Sequence, residues 1–155
     1  QEPLKNLVLA KKRSYRLATV YLATQIYERT PFANLPCDFL IPIPLHWTRS
    51  WRRGYNQSAV MAETLQLLRP ATQVANLLTR TKLTSYQSGL SKVARFDNLK
   101  GAFSLKKGDL GAYCNKDLVL IDDVFTSGAT LEAAAKELLK VKPRSLTIVV
   151  ACRAI

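Results

Sequence analysis

The sequence predicts an α/β domain built on an open, mostly parallel twisted sheet flanked by helices. Three observations near its end predict it: Leu118–Ile121 is a wholly apolar run, Thr130–Val141 carries a helical apolar period, and Leu146–Ala151 is β-branched. The period runs through Leu131, Ala134, Ala135, Leu138 and Leu139. Strand, helix and strand in that order make a right-handed parallel crossover. A parallel strand covered on both faces reads as continuously apolar rather than alternating. The 155 residues are read as one domain, 1–155, and 48% hydrophobic content is too high for a disordered basic tail.

The other elements follow along the chain. Between Leu4 and Tyr27 there is no Gly or Pro, and apolar residues recur at Leu4, Leu7, Val8, Leu17, Val20, Tyr21 and Tyr27, which predicts one long helix or two. Lys11, Lys12 and Arg13, with Arg16 one turn on, form a basic strip that reads either as a solvated face or as a phosphate contact. Phe39–Pro44 is an apolar run bounded by prolines, a short strand ending near Ile43 and held in a loop. Residues Ser58–Leu68 read as a helix stopped by Pro70. From Thr79 to Phe96 there is no carboxylate, and the composition predicts a mobile basic loop. Ala102–Leu105 reads as a strand and Lys106–Lys116 as a connecting turn.

Composition narrows the function classes. No apolar stretch approaches the ~20 residues of a membrane span. Cys37, Cys114 and Cys152 fit neither a disulfide framework nor a CxxC metal spacing, so the expectation is a reducing, cytoplasmic setting with no metal ligand among them. The start lacks Met and any signal pattern, so the chain is expected to begin inside a longer protein. The formal charge is +12, and residues 1–107 hold 17 basic and 5 acidic side chains, whereas residues 108–155 hold 6 of each. The whole excess lies in the first two thirds, which favours a polyanion or a multiply phosphorylated ligand.

The chemistry concentrates where the late strand meets its helix, at Asp122-Asp123-Val124-Phe125-Thr126-Ser127-Gly128-Ala129-Thr130. In an open parallel sheet, ligands bind beyond the carboxyl ends of the strands, and a helix N-terminus offers N–H groups and a positive dipole end to phosphate. Gly128 permits close backbone approach, and three hydroxyls add donors. Two adjacent carboxylates at a strand end repel each other and a phosphate unless they bind hydroxyls or face a hydrated cation; a simple cap needs only one. There is no G-x-x-x-x-G-K-[ST] or G-x-G-x-x-G, which removes the central feature of nucleoside triphosphatases and dinucleotide oxidoreductases.

These residues resemble a known signature. Leu118–Thr130 looks like the phosphoribosyl-pyrophosphate (PRPP) motif of type I phosphoribosyltransferases. Pro42-Ile43-Pro44-Leu45-His46, Arg53-Gly54-Tyr55-Asn56-Gln57, then Gln87, Leu90, Arg95 and Asn98, make the chain similar to the ComF family from Leu4 to Arg153. The resemblance implies a type I phosphoribosyltransferase-like fold. It also implies that a four-cysteine zinc module, common in that family ahead of this domain, lies outside the chain. Phe125-Thr126-Ser127 departs from the family, which commonly has a smaller apolar residue and Thr-Thr, but keeps the hydroxyls.

Carried over by position, the resemblance makes Asp122 and Asp123 the candidate catalytic pair holding the ribose hydroxyls of PRPP. Thr126, Ser127, Gly128, Ala129 and Thr130 would cradle the 5′-phosphate. Pro44, Leu45 and His46, a turn that in this class often holds a strained non-proline cis peptide, would meet the pyrophosphate with Arg53. Arg80, Lys82 and Arg95 on a flexible loop would add charge. Mg²⁺ is the implied cofactor, held through the ligand and water and not by protein side chains. His46 reads equally as a turn residue, and Trp47 and Trp51 as packing residues.

Displacement at the anomeric carbon needs positioning, cations and little acid–base work, which suits a chain with one histidine. Transfer to a base and silent PRPP binding both fit. The family resemblance further implies a role in DNA uptake and natural transformation, with single-stranded DNA and proteins of the uptake machinery as partners. Lys11, Lys12 and Arg13 are the nucleic-acid candidates, and Trp47, Trp51, Tyr55 and Tyr86 near basic residues would supply stacking.

Overall fold

A computed structural model describes residues 2–45, 55–81 and 101–153, with side chains from residue 15 onward within them. The first helix, α1 (Glu2–Arg29), is single and unbroken, as the lack of Gly and Pro after Pro3 allows. Thr30 ends it by donating to the Ile26 carbonyl at 2.6 Å and accepts from the Phe32 amide, which starts a 3₁₀ turn at Pro31–Asn34. The chain then forms β1 (Phe39–Pro42), α2 (Gln57–Leu68), β2 (Gln73–Val74), β3 (Leu78–Arg80) and β4 (Phe103–Leu105). It closes with β5 (Asp117–Phe125), α3 (Ala129–Leu138) and β6 (Ser145–Arg153).

Four strands make one parallel sheet in the order β2-β1-β5-β6. Its centre is β5, in which Leu118, Val119, Leu120 and Ile121 are all wholly buried. The strand's period of two divides them between opposite faces. Leu118 and Leu120 join Ile41 and Ile43 under Leu131, Ala134 and Leu138 of α3. Val119 and Ile121 join Leu40 under Ala23 and Ile26 of α1 and Met61, Ala62 and Leu65 of α2. Burying one such aliphatic side chain contributes about 1.5–3 kcal/mol. The sheet is thus a middle layer between two helical ones, the architecture expected from the sequence.

The connections decide where a ligand can bind. From β1 the chain crosses over α2 to β2, on one side; from β5 it crosses over α3 to β6, on the other. Two crossovers that step in opposite directions over opposite faces share one hand, as parallel units require. The reversal of strand order falls between β1 and β5, and the crevice at such a point, beyond the carboxyl ends, is the usual ligand site.

The strand read from the sequence as ending before Asp122 runs on to Phe125. Strand β6 continues the ladder, with Asp122 opposite Val150 and Phe125 opposite Arg153, so its β-branched run overrides the polar signal. The segment read as a mobile loop from Thr79 begins as a strand instead. Strand β3 pairs antiparallel with β4, Leu78 and Phe103 are buried, and Thr81 closes back on Ala102 at 2.9 Å. The connecting turn at 106–116 contains a 3₁₀ turn, Leu110–Tyr113, started by Asp109, which accepts from the Gly111 amide.

The amino end of the sheet is closed by charge. Asp117, almost wholly buried, accepts from Ser145 Oγ at 2.7 Å, from Arg144 Nε at 3.0 Å and from Arg144 Nη2. Asp38 Oδ2 accepts from the Asp117 amide at 2.8 Å. The Arg144 and Ser145 hydrogen bonds hold the Asp117 carboxyl down to about 2. A depressed carboxyl contributes stability that is present above the unfolded value near 4 and is lost as pH falls through the folded value. Asp117→Asn is therefore expected to lower the melting temperature at pH 7, and the difference from the wild type to close between pH 4 and 2, as read by thermal unfolding across that range.

Candidate functional site

Beyond the carboxyl ends of β1 and β5, four segments converge. The β1–β5 ladder continues past Pro42, because the Ile43 amide donates to the Ile121 carbonyl at 2.9 Å, and this sets Pro44 and Leu45 beside the start of the acidic pair. Asn56 caps α2 by accepting from the Ser58 amide at 3.2 Å, and its Nδ2 donates to the Ile43 carbonyl at 2.9 Å. Ser58, 3% exposed, donates from Oγ to Asp122 Oδ1 at 3.0 Å. The Asp123 amide donates to the same oxygen, also at 3.0 Å. The loop after β1, the start of α2 and the acidic end of β5 are thereby one hydrogen-bonded unit.

The fourth segment is the turn into α3. Gly128 has φ +78°, the left-handed region that a residue with a Cβ rarely adopts, and an added Cβ would lie 3.2 Å from the Phe125 ring. Gly128 offers no side-chain cap to α3, and Ser127 Oγ accepts from the Ala129 amide only at 3.5 Å. A helix so begun presents its first N–H groups and dipole end with little competition from the protein's own side chains. Thr126 is exposed, Ser127 and Thr130 are half-buried and Ala129 is buried.

Asp122 is the electrostatically unusual group. Burial first, and the Asp123 charge second, push its carboxyl up to about 7, against the opposing hydrogen bonds from Asp123 and Ser58. A carboxylate held under such stress is stabilised by hydroxyl donors or by a cation brought with a ligand. That is the chemistry expected of functional groups whose ionisation the fold itself opposes.

Pro44 and Leu45 follow the end of β1 next to the β5 strand that carries Asp122 and Asp123, and residues 126–130 follow the end of β5. The structure places Arg80 elsewhere than a flexible loop: the residue is half-buried in β3, with its guanidinium carbon 5.4 Å from the Phe103 ring centroid. Antiparallel pairing with β4 holds it there. His46, Arg53, Lys82 and Arg95 lie outside the described residues, as do Trp47, Trp51, Tyr86, Gln87, Leu90 and Asn98. Lys11, Lys12 and Arg13 belong to α1, but their side chains are not among those described. No peptide bond is cis among the described residues. Sequence reasoning missed Asn56 and Ser58 as parts of the site. An Asn two residues before a Ser at a helix start is an N-cap signal, and it could have located the first of them.

An open parallel sheet with an acidic pair and a Gly-led helix at its switch point is the type I phosphoribosyltransferase-like class of fold. The model of the phosphoribosyl transferase domain matches residues 54–155. The chain belongs to that domain family and, within it, to the ComF group. Competence protein F of Haemophilus influenzae is 39% identical over 121 residues, which are 78% of this chain and 52% of that protein. DNA utilization protein YhgH of Escherichia coli (strain K12) is 34% identical over 126 residues, 81% of this chain and 53% of that protein. Competence protein ComFC of Bacillus subtilis is 36% identical over 101 residues, 65% of this chain and 38% of that protein. The chain thus spans about half the length of the first two and less of the third. The crystal structure of a purine phosphoribosyltransferase from Pyrococcus horikoshii gives a TM-score of 0.47 at 16% identity, covering 88% of this chain and 71% of that one.

Two outcomes follow for the isolated site. Asp122→Asn removes a charge the fold disfavours but keeps an oxygen for Ser58, so it is expected to stabilise the ligand-free protein on the order of 2 kcal/mol at pH 8. A raised carboxyl makes wild-type stability fall as pH rises from about 4 through about 7, so the gain should vanish in unfolding experiments at pH 4. Gly128→Ala is expected to cost about 1–2 kcal/mol through the left-handed conformation alone, measured by denaturant unfolding.

Proposed function

We propose that the domain binds PRPP together with Mg²⁺ and acts in natural transformation, in the handling of incoming single-stranded DNA. The observation that carries the first part is the convergence, at the switch point of the sheet, of the Pro44–Leu45 turn, the Asp122–Asp123 pair and the Gly128-led start of α3. Each fits one part of the ligand. The helix start and the hydroxyls of Thr126, Ser127 and Thr130 take the 5′-phosphate, Asp122 and Asp123 accept from the ribose hydroxyls, and the turn after β1 faces the diphosphate.

Among the described residues no cluster of three or more His, Cys, Asp or Glu could hold a metal ion. In the proposed reading Mg²⁺ comes with the diphosphate, held through it and through water. Bound there, Mg²⁺ would neutralise charge on the pyrophosphate. The part played by DNA is supported by the names of the relatives, two for competence and one for DNA utilization, and by the +12 charge lodged in the first two thirds of the chain. No helix among the described residues is long and apolar enough to cross a membrane, and Cys37, Cys114 and Cys152 are free thiols.

Calorimetric titration of PRPP with Mg²⁺ tests the ligand. Asp122→Ala/Asp123→Ala should weaken binding about 100-fold or more, since two hydrogen bonds to charged groups are lost. Equal affinity in wild type and variant, or none in the wild type, would remove the reading. Charge reversal at Lys11, Lys12 and Arg13 should lower affinity for single-stranded DNA and flatten its salt dependence while PRPP affinity holds. Unchanged DNA affinity would exclude that strip as the nucleic-acid surface.

A further inference from the structure

The hydroxyls on the helices show two habits. Thr19, Thr24 and Thr64 each donate to the carbonyl four residues back, at 2.9, 3.1 and 2.8 Å, the local bond by which a helical hydroxyl satisfies itself within its own helix. Ser58 instead spends its proton on Asp122, 64 positions along the chain. It is buried, and it is held at the start of α2 by the Asn56 cap, which also grips the loop after β1.

We infer that Ser58 is the positioning residue of the acidic pair: its hydroxyl and the Asp123 amide, both on Asp122 Oδ1, fix the plane of that carboxyl for the ligand. Asn56, two residues earlier, holds the diphosphate-facing turn to the same helix start, so the spacing between the ribose and diphosphate ends of the site is set by one turn of α2. The inference rests on the PRPP reading for its ligand, but the hydrogen bond itself acts without one.

A donor on the charged form favours ionisation, so loss of the Ser58 hydroxyl should be visible as a change in when Asp122 ionises. Among the described residues the groups near it are these, with Cys152 of β6 donating from Sγ to the Asp123 carbonyl at 3.5 Å. Asp123 is the charged neighbour on β5, β6 places Val150 opposite, β1 ends opposite Ile121, α2 contributes Ser58, and the first-turn Glu132 of α3 is paired with Lys136 at 2.7 Å.

The test is a carboxyl-carbon NMR titration of Asp122 in the wild type, Ser58→Ala and Ser58→Thr, paired with PRPP/Mg²⁺ affinity between pH 5.5 and 9. Ser58→Ala should move the Asp122 midpoint up by about one pH unit. It should weaken PRPP about 5- to 10-fold at pH 6.5, with most of the loss recovered at pH 9, and Ser58→Thr should restore the wild-type midpoint. An unmoved midpoint, or an affinity loss equal at every pH, would overturn the inference and leave Ser58 a packing residue. Absence of PRPP binding by the wild type would remove the ligand reading alone, and the midpoint would still decide the role of Ser58.

Discussion

Of the three aspartates on strand β5, Asp117 and Asp122 lie five residues apart, and their opposite treatment is the constraint on which the rest of the structure depends. At the strand's amino end, the Asp117 carboxylate accepts from Arg144 and Ser145, and the Asp117 amide donates to Asp38 Oδ2, so the start of the strand is tied down on both sides. At the other end, Asp122 receives one hydroxyl and one amide against burial and a like charge. Between them lie four wholly buried aliphatic residues that serve both faces of the sheet. One end of the strand is therefore structurally satisfied, and the other is left in need of a partner.

That need falls where the topology can meet it. Because the chain leaves β1 toward one edge and β5 toward the other, the helices following these strands diverge onto opposite faces, and a crevice opens between their starts. Helix α2 enters with Asn56 and Ser58, and α3 enters with Gly128. The two helix starts play different parts: the first is spent on the protein's own backbone and carboxyl, whereas the second carries no side-chain cap. In the proposed function, a phosphate-bearing ligand would be served by the second and oriented by the first.

Much of the fold was legible in the sequence because its signals are periodic. The run Leu118–Ile121 and most of the helical period after Thr130 report burial directly, whereas α1 was legible as a helix but not in its buried face: Leu17, Val20 and Tyr21 of its apolar spacing are exposed, and the small Ala23 with Ile26 is what the sheet covers. The candidate site was legible at Asp122–Thr130, where unusual residue types sit side by side. Other features escaped for physical reasons. Strand β2 is two residues long and β3 three, too short for any period. The extension of β5 through two aspartates depends on pairing with β6, and Arg80 is fixed by a strand lying beyond a 22-residue gap in sequence. The Ser58–Asp122 bond joins residues 64 positions apart, which no local pattern can announce.

The central claim is that a phosphoribosyl diphosphate occupies the crevice between β1 and β5. Backbone amide NMR of the domain, titrated with PRPP and Mg²⁺, tests it most directly. The largest shifts should fall on residues 122–130, with a second group at Ile43 and Leu45, and free pyrophosphate should move the second group more than the first. Shifts confined to α1, or spread without preference over the basic residues, would contradict the account and make the acidic pair a feature of architecture alone.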